Sequence, residues 1–332
     1  MNLKLILPAA VFSLTAISGF AQHKVSKSYS IKSGGGWDYI SVNEGKIYAS
    51  HGGQVNILDE KTGDSVGVIL NTTGVHGVAF DNKLNHGFTS NGRLNNVTVF
   101  DLGTNEKIVD IATGKNPDAI TYESWSKKII TCNGTSKDLT VIDPKTNTVV
   151  ATIPVGGKPE EGKGDGAGKF YVNIEDKSEV AVIDLKTYKV INQFSLKPGD
   201  APTGLAVDTK NNRIYSSCSD SKTLIVLDKT SGKVIEKVAI GEGCDGLAFD
   251  PKKEMIYTSN GEGTITAIKI VNGNTYKVEE TFKTKVGART IAIDTKNHMM
   301  FLPTAEFKPK DPNNKNERRQ MIPGTFQVLV VE

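Results

Sequence analysis

Leu139-Thr140-Val141-Ile142-Asp143-Pro144-Lys145-Thr146-Asn147-Thr148-Val149-Val150-Ala151-Thr152-Ile153 decides the fold. It holds two runs rich in β-branched residues, separated by Asp, Pro, Thr and Asn. Such runs fit a pleated, half-buried surface. An Asp at the end of the first run can accept hydrogen bonds from backbone N–H groups ahead of it, and so shapes a turn. The stretch reads as a strand, a tight turn and a returning strand.

The same unit recurs along the chain. Val55-Asn56-Ile57-Leu58-Asp59 leads to Thr62-Gly63, and Val97-Thr98-Val99-Phe100-Asp101 to Thr104-Asn105. Val180-Ala181-Val182-Ile183-Asp184 leads to Thr187, and Leu224-Ile225-Val226-Leu227-Asp228 to Thr230 and Gly232. With Asp143 included, the turn aspartates are spaced by 42, 42, 41 and 44 residues. A second pattern recurs ahead of this unit. Gly77-Val78-Ala79-Phe80-Asp81, Asp118-Ala119-Ile120-Thr121-Tyr122, Gly204-Leu205-Ala206-Val207-Asp208, Gly246-Leu247-Ala248-Phe249-Asp250 and Thr290-Ile291-Ala292-Ile293-Asp294 are short apolar strands, each followed by another. Four strands in roughly 40–45 residues is the period of a propeller blade.

The repeat predicts an all-β, seven-bladed β-propeller of four-stranded antiparallel blades. The blades fall at 37–74, 75–116, 117–158, 159–201, 202–243, 244–287 and 288–332, within one domain at 22–332. The last blade lacks an outermost strand. Residues 25–33, which alternate as Val25, Lys27, Tyr29 and Ile31, are placed to supply it and close the ring. No linker interrupts the period, and no polar capping repeats mark an open solenoid.

The first 21 residues read differently. Lys4 precedes an apolar stretch that ends at Ser18-Gly19-Phe20-Ala21, with small residues at the −3 and −1 positions of a cut before Gln22. This is the pattern of a secretory signal peptide, too short for a membrane span. It predicts a periplasmic or secreted protein. The formal charge of +3, from 40 basic and 37 acidic residues, is too balanced for nucleic-acid or membrane-surface binding. A monomer is expected. There is no CxxC, CxxCH, HExxH, GxSxG or Walker loop, so no cofactor is expected. Three cysteines leave at least one free thiol; one reading pairs Cys218 with Cys244 and leaves Cys132 free.

The chain resembles the YncE-like bacterial proteins built from YVTN-type β-propeller repeats. The resemblance rests on Trp37-Asp38-Tyr39, Ser50-His51-Gly52, Val75-His76-Gly77, Asn91-Gly92-Arg93, Asn116-Pro117-Asp118, Lys158-Pro159-Glu160, Val172-Asn173-Ile174-Glu175, Gly287-Ala288-Arg289-Thr290 and Phe301-Leu302-Pro303. It implies an exported propeller without an established general activity. One segment departs from the pattern. Where the inner strand of blade four should be apolar, the chain reads Glu161-Gly162-Lys163-Gly164-Asp165. A compromised inner strand is expected there.

Propeller topology points to one rim for a site. Label the strands A to D from the axis outward. The links from D to the next A and from B to C then line one face. Strand-A starts supply Asp38, His76, Asp118, Glu160, Thr203, Asp245 and Arg289. The B–C links supply His51, Asn91, Arg93, Asn133, Asn173, Glu175, Asn260 and Glu306. From this set the candidate ligand-binding residues are Asp38, His51, His76, Arg93, Asp118, Glu160, Asn173, Asp245, Asn260 and Arg289. His51 and His76 are the candidate metal ligands. The bland alternatives are turn formation by the Asn residues before Gly, an ion pair between Arg289 and Asp38, and polar rim positions for the histidines. The connection 306–324 leaves the same rim and is long enough to act as a lid. Two functions follow. One is a non-catalytic scaffold that binds an envelope protein or a small polar ligand. The other is a metal-dependent, lactonase-like hydrolase using the same funnel. A redox accessory role would need a centre supplied by a partner.

Overall fold

The computed structural model describes residues 23–309 and 319–332. The signal segment 1–21 and the middle of the 306–324 connection lie outside the described residues. Among the described residues, twenty-eight strands form seven four-stranded antiparallel sheets. Blade one runs Trp37–Asn43, Lys46–His51, Gln54–Asp59 and Ser65–Ile69 from the axis outward. The next five blades repeat this order, with inner strands Val75–Asp81, Pro117–Glu123, Pro159–Gly164, Pro202–Asp208 and Cys244–Asp250. Blade seven combines Ala292–Asp294, Met299–Thr304 and Gln327–Val331 with the N-terminal strand Val25–Ser30 outermost.

The turn aspartates do what their spacing implies. Asp59 Oδ1 accepts from the backbone N–H groups of Lys61 and Thr62, both at 2.9 Å. Asp101 and Asp228 repeat this bond pattern. Each such turn returns the chain as the outer strand of its blade. The sheets then stack face to face, so every blade buries one side against each neighbour. The core is accordingly seven clusters between and within blades rather than one centre. Tyr48, Phe88, Tyr171, Tyr215 and Tyr257, at corresponding positions of five B strands, are fully buried among them.

The inner strand of blade four corrects the expectation from sequence. It forms over Pro159–Gly164 and pairs with Lys169–Ile174. Its polar side chains are satisfied locally. Glu161 pairs with Lys163 at 2.7 Å and also accepts the backbone N–H of Leu205 in blade five at 2.9 Å. Gly162 makes room for the Phe170 ring, which a Cβ there would meet at 2.5 Å. The shortest inner strand belongs to blade seven, with three residues.

The cysteines also correct an expectation. All three are free and buried. Cys218 faces the cluster shared with blade four, beside Leu196 and Tyr171. Cys244 faces the cluster shared with blade five, beside Tyr215 and Leu224. The sheet of blade five lies between the two clusters, so the thiols cannot meet.

The ring closes by pairing its two ends. Val25 to Ser30 run antiparallel to Val331 to Gln327, with a bulge after Val25. Tyr29 fastens this seam to the next blade: its hydroxyl donates to the carbonyls of Glu60 and Lys61, both at 2.9 Å. Its ring covers Gly63, whose φ of +76° and missing side chain permit the approach. Tyr29→Ala should therefore cost about 3 kcal/mol, as for other buried aromatic truncations. Tyr29→Phe should cost about 1 kcal/mol, the worth of the lost hydrogen bond. Denaturant unfolding of the two variants checks both values; equal effects would mean that the hydroxyl alone holds the seam.

Candidate functional site

Six A strands begin with the same irregularity. Their pairing with strand B shifts register between Trp37 and Ile40, Val75 and Val78, Pro117 and Ile120, Pro159 and Gly162, Pro202 and Leu205, and Cys244 and Gly246. Such a bulge frees a residue from the ladder and re-aims its side chain. The residues within these intervals include Asp38, His76, Asp118, Glu160, Thr203 and Asp245. Neighbouring blades fix the local backbone. Thr290 Oγ1 donates to Asp38 O at 2.7 Å, Asn173 Nδ2 to Thr203 O at 2.9 Å, and Ser259 Oγ to Arg289 O at 2.6 Å. Ser90 donates likewise to Asp118 O.

The result is a pocket of about 200 Å³ at the axis, lined by Asp38, Tyr39, Asp118, Lys158, Glu160, Glu175, Thr203, Asp245 and Arg289. His76 adjoins it through Asp38 and Asp118. Its Nδ1 donates to Asp38 Oδ2 at 2.6 Å and lies 3.6 Å from Asp118 Oδ1. Arg289 spans the seam: Nε donates to Asp245 at 2.6 Å and Nη2 to Asp38 at 3.3 Å. Lys158 Nζ lies 2.8 Å from Glu160 and also donates to Glu175. Five carboxylates thus face two permanent cations and one imidazole.

That imbalance sets the protonation behaviour. Burial, then the charge of Asp38, raises Asp118, and His76 and Lys158 offset only part of this. Burial and the charge of Asp118 likewise raise Glu160 against the pull of Lys158. Burial raises Asp245, with Arg289 opposing. For His76, burial works against the charged ring. The bond to Asp38 and the charges of Asp118 and Asp38 outweigh it and carry the pKa up to about 9.

Other candidate residues stand elsewhere. His51 is fully buried, stacked on Phe326 and bonded to Ser33 and to Gly35 O, so both ring nitrogens are engaged. Burial lowers its pKa. Asn260 is buried and donates to Thr264 and Thr266 across its own turn; Asn91 and Asn133 do the same in theirs. Asn173 bridges to blade five without reaching the pocket. Arg93 is exposed, with its stem over Gly74. The described stems of the 306–324 connection pair through Phe307 and Met321, and Arg319 Nη1 donates to Gly261 O at 3.4 Å. Trp37 packs between Phe307 and Phe326.

Four lining residues were not among the ten candidates from sequence: Glu175 and Thr203, which stood only in the wider rim set, and Lys158 and Tyr39, which stood in neither. Lys158 precedes Glu160 by two positions on the same rim. Tyr39 occupies a position where four other inner strands carry Gly77, Ala119, Gly204 and Gly246, and the remaining two carry Glu161 and Thr290, so its ring is the largest side chain of the seven. That exceptional bulk was the available signal. Tyr39 packs against the inner cluster of blades three and four. It also lines a second axial cavity of about 580 Å³, walled by the A strands. Its ring is the partition between the two spaces.

A family model described as YNCE-like beta-propeller matches residues 70–303, more than half of the chain. No curated protein sequence matches. Among solved structures, a chain of Kuenenia stuttgartiensis hydrazine synthase aligns with a TM-score of 0.72 and 13% identity, over 82% of this chain and 94% of that one. A chain of a mitotic checkpoint complex aligns at 0.74 and 10% identity, over 91% and 94%. At such identities the likeness is one of fold alone.

The pocket couples stability to pH with a definite sign. His76 holds its proton more tightly in the folded protein. Its contribution is complete below its ordinary value of 6.5 and is lost as pH rises through about 9. Asp118 and Glu160 are raised, so their ionisation penalises the fold increasingly as pH climbs above their ordinary values of 3.8 and 4.5. All three slopes run the same way. Denaturant stability should fall between about pH 6 and pH 9, and fall less in a His76→Gln/Asp118→Asn variant. Parallel stability–pH curves for the two proteins would overturn this account.

Proposed function

The chain belongs to the YNCE-like β-propeller family, and from that premise we propose that it is an exported, non-catalytic binding protein whose axial pocket takes a small cationic ligand. The observation that carries this reading is the excess of carboxylates. Asp38, Asp118, Glu160, Glu175 and Asp245 outnumber Lys158 and Arg289 around a space of about 200 Å³, even with the adjoining His76 counted among the cations. An ammonium or guanidinium group entering there supplies the missing positive charge, and it gains charge-assisted hydrogen bonds that are shorter and stronger than neutral ones. The volume limits the bound portion to a few heavy atoms.

A binding role also agrees with the hydroxyl chemistry of the lining. Thr203 is its single aliphatic hydroxyl, and Oγ1 donates to Cys244 O at 3.1 Å with further contacts only to Ser217. Among the described residues no base stands against it, as an activated nucleophile requires. Export rests on the N-terminal pattern of residues 1–21. N-terminal sequencing of protein recovered from the envelope fraction or the medium should read from Gln22; an intact Met1 in exported protein would contradict the assigned cut.

Calorimetric titration with small amines, diamines and guanidines tests the pocket. Glu160→Gln should weaken the best of them by about tenfold to a hundredfold, the range expected for losing a hydrogen bond to a charged group. Lys158→Met removes an internal competitor and should tighten binding. Tighter binding of acetate or phosphate, titrated beside them, than of any amine or guanidine would reverse the assignment.

A further inference from the structure

One corner of this pocket is defined by geometry more sharply than a general cation site requires. We infer that Asp38, His76 and Asp118 form a binding site for a divalent transition-metal ion of the zinc class. The inference rests on the cationic reading of the pocket and narrows it to one ion type and three residues.

The three side chains come from successive blades, each from the irregular start of an A strand. Rigid sheets therefore set their spacing, as a precise site requires. One ligand atom from each can be chosen so that all three lie within 4.8 Å of one another. The closest approach is His76 Nδ1 to Asp38 Oδ2 at 2.6 Å, and Asp118 Oδ1 completes the group at 3.6 Å. Zinc bonds imidazole nitrogen and carboxylate oxygen at roughly 2.0–2.2 Å, which places tetrahedral ligand atoms about 3.4 Å apart. The ion thus takes the place of the proton between His76 and Asp38. The ligands need move by less than about 1 Å to receive it.

The surroundings supply what a metal site needs beyond its ligands. Asp38 turns its other oxygen to Arg289, which orients the carboxylate. Asn116 Oδ1 stands beside His76 Nε2: a Cβ on Gly92 would meet the two at 2.6 and 2.5 Å. Partners of this kind fix a metal-bound imidazole. Asp118 is anchored through its backbone carbonyl by Ser90, while its carboxylate accepts no hydrogen bond among the described residues. Its lone pairs face the pocket. Two carboxylates balance the charge of a divalent ion. One imidazole with two carboxylates suits zinc, cobalt, nickel or manganese better than calcium, which takes six to eight oxygen ligands. The remaining coordination positions open toward the space lined by Glu160, Glu175 and Thr203.

The test uses the full mature chain stripped with a chelator, then dialysed against Zn²⁺ and measured by elemental analysis. Parallel samples loaded with Co²⁺ report coordination through visible absorption. One equivalent of Zn²⁺ is expected, with a Co²⁺ spectrum of a low-coordinate N/O site. Both should vanish in His76→Ala and in Asp118→Asn. Asn116→Ala should weaken Zn²⁺ binding by about 10–100-fold, the usual effect of removing a partner of a metal-bound histidine. Thermal melts confirm that each variant is folded, and Asn116→Ala serves where a ligand variant is not. Failure to bind Zn²⁺ or Co²⁺ overturns the inference. So does Zn²⁺ that is retained in folded His76→Ala protein, since the ion then sits elsewhere. The same preparations are titrated with the amine panel. Amine binding without metal binding removes this inference and leaves the pocket reading standing; the loss of both removes both.

Discussion

The ladder between Val25–Ser30 and Gln327–Val331 is the constraint on which the rest depends. Each blade buries its faces only against its neighbours, so an open ring would expose two of them. The ends are tied further by Lys24 and Glu332, whose backbones exchange hydrogen bonds at 3.0 and 3.1 Å. The consequence reaches the axis. Arg289 and Thr290 of blade seven hold Asp38 of blade one across this seam. The orientation of Asp38 toward His76 therefore depends on pairing at the outer edge of the same blade. Closure of the sheet and assembly of the pocket are one event.

Electrostatics at the hub follow from the same geometry. Seven strand starts converge on a small radius, and they carry acids in excess of bases. In water such charges would be screened; in a confined space of limited polarity each one is felt by the others. The chain accommodates this by partial pairing. Arg289 serves two carboxylates, Lys158 two more, and His76 stands between Asp38 and Asp118. The compensation is incomplete, and the raised proton affinities of Asp118 and Glu160 are its physical signature.

Much of this was legible in the sequence because propeller topology converts position into place. The 41–44-residue recurrence of turn aspartates gave the blades, and Tyr29 and Ile31 marked the closing strand. The start of each A strand must approach the axis, so Asp38, His76, Asp118, Glu160, Asp245 and Arg289 could be grouped without coordinates. Residues at the ends of B strands could not be resolved this way. Their side chains alternate between a blade face and a rim, and the bonding of His51 and Asn173 is set by neighbours distant in sequence. The same limit hid the opposite facing of Cys218 and Cys244. In blade four, polarity suggested a failed strand. Glu161 instead meets Lys163 and a backbone N–H of blade five, contacts that no pattern of hydrophobicity encodes.

The partition made by Tyr39 has a kinetic meaning. The pocket above it and the larger cavity below share that one side chain as a wall. The Tyr39 ring stands between the two spaces and obstructs passage along the axis. A solute reaching the carboxylates enters most directly through the mouth on the rim that carries them. Its rate of capture is then governed by the field at that opening, and by ionic strength, rather than by flow through the ring. Opening the partition with a smaller residue would give the pocket a back door, and residence time would change with no ligand-contacting charge altered.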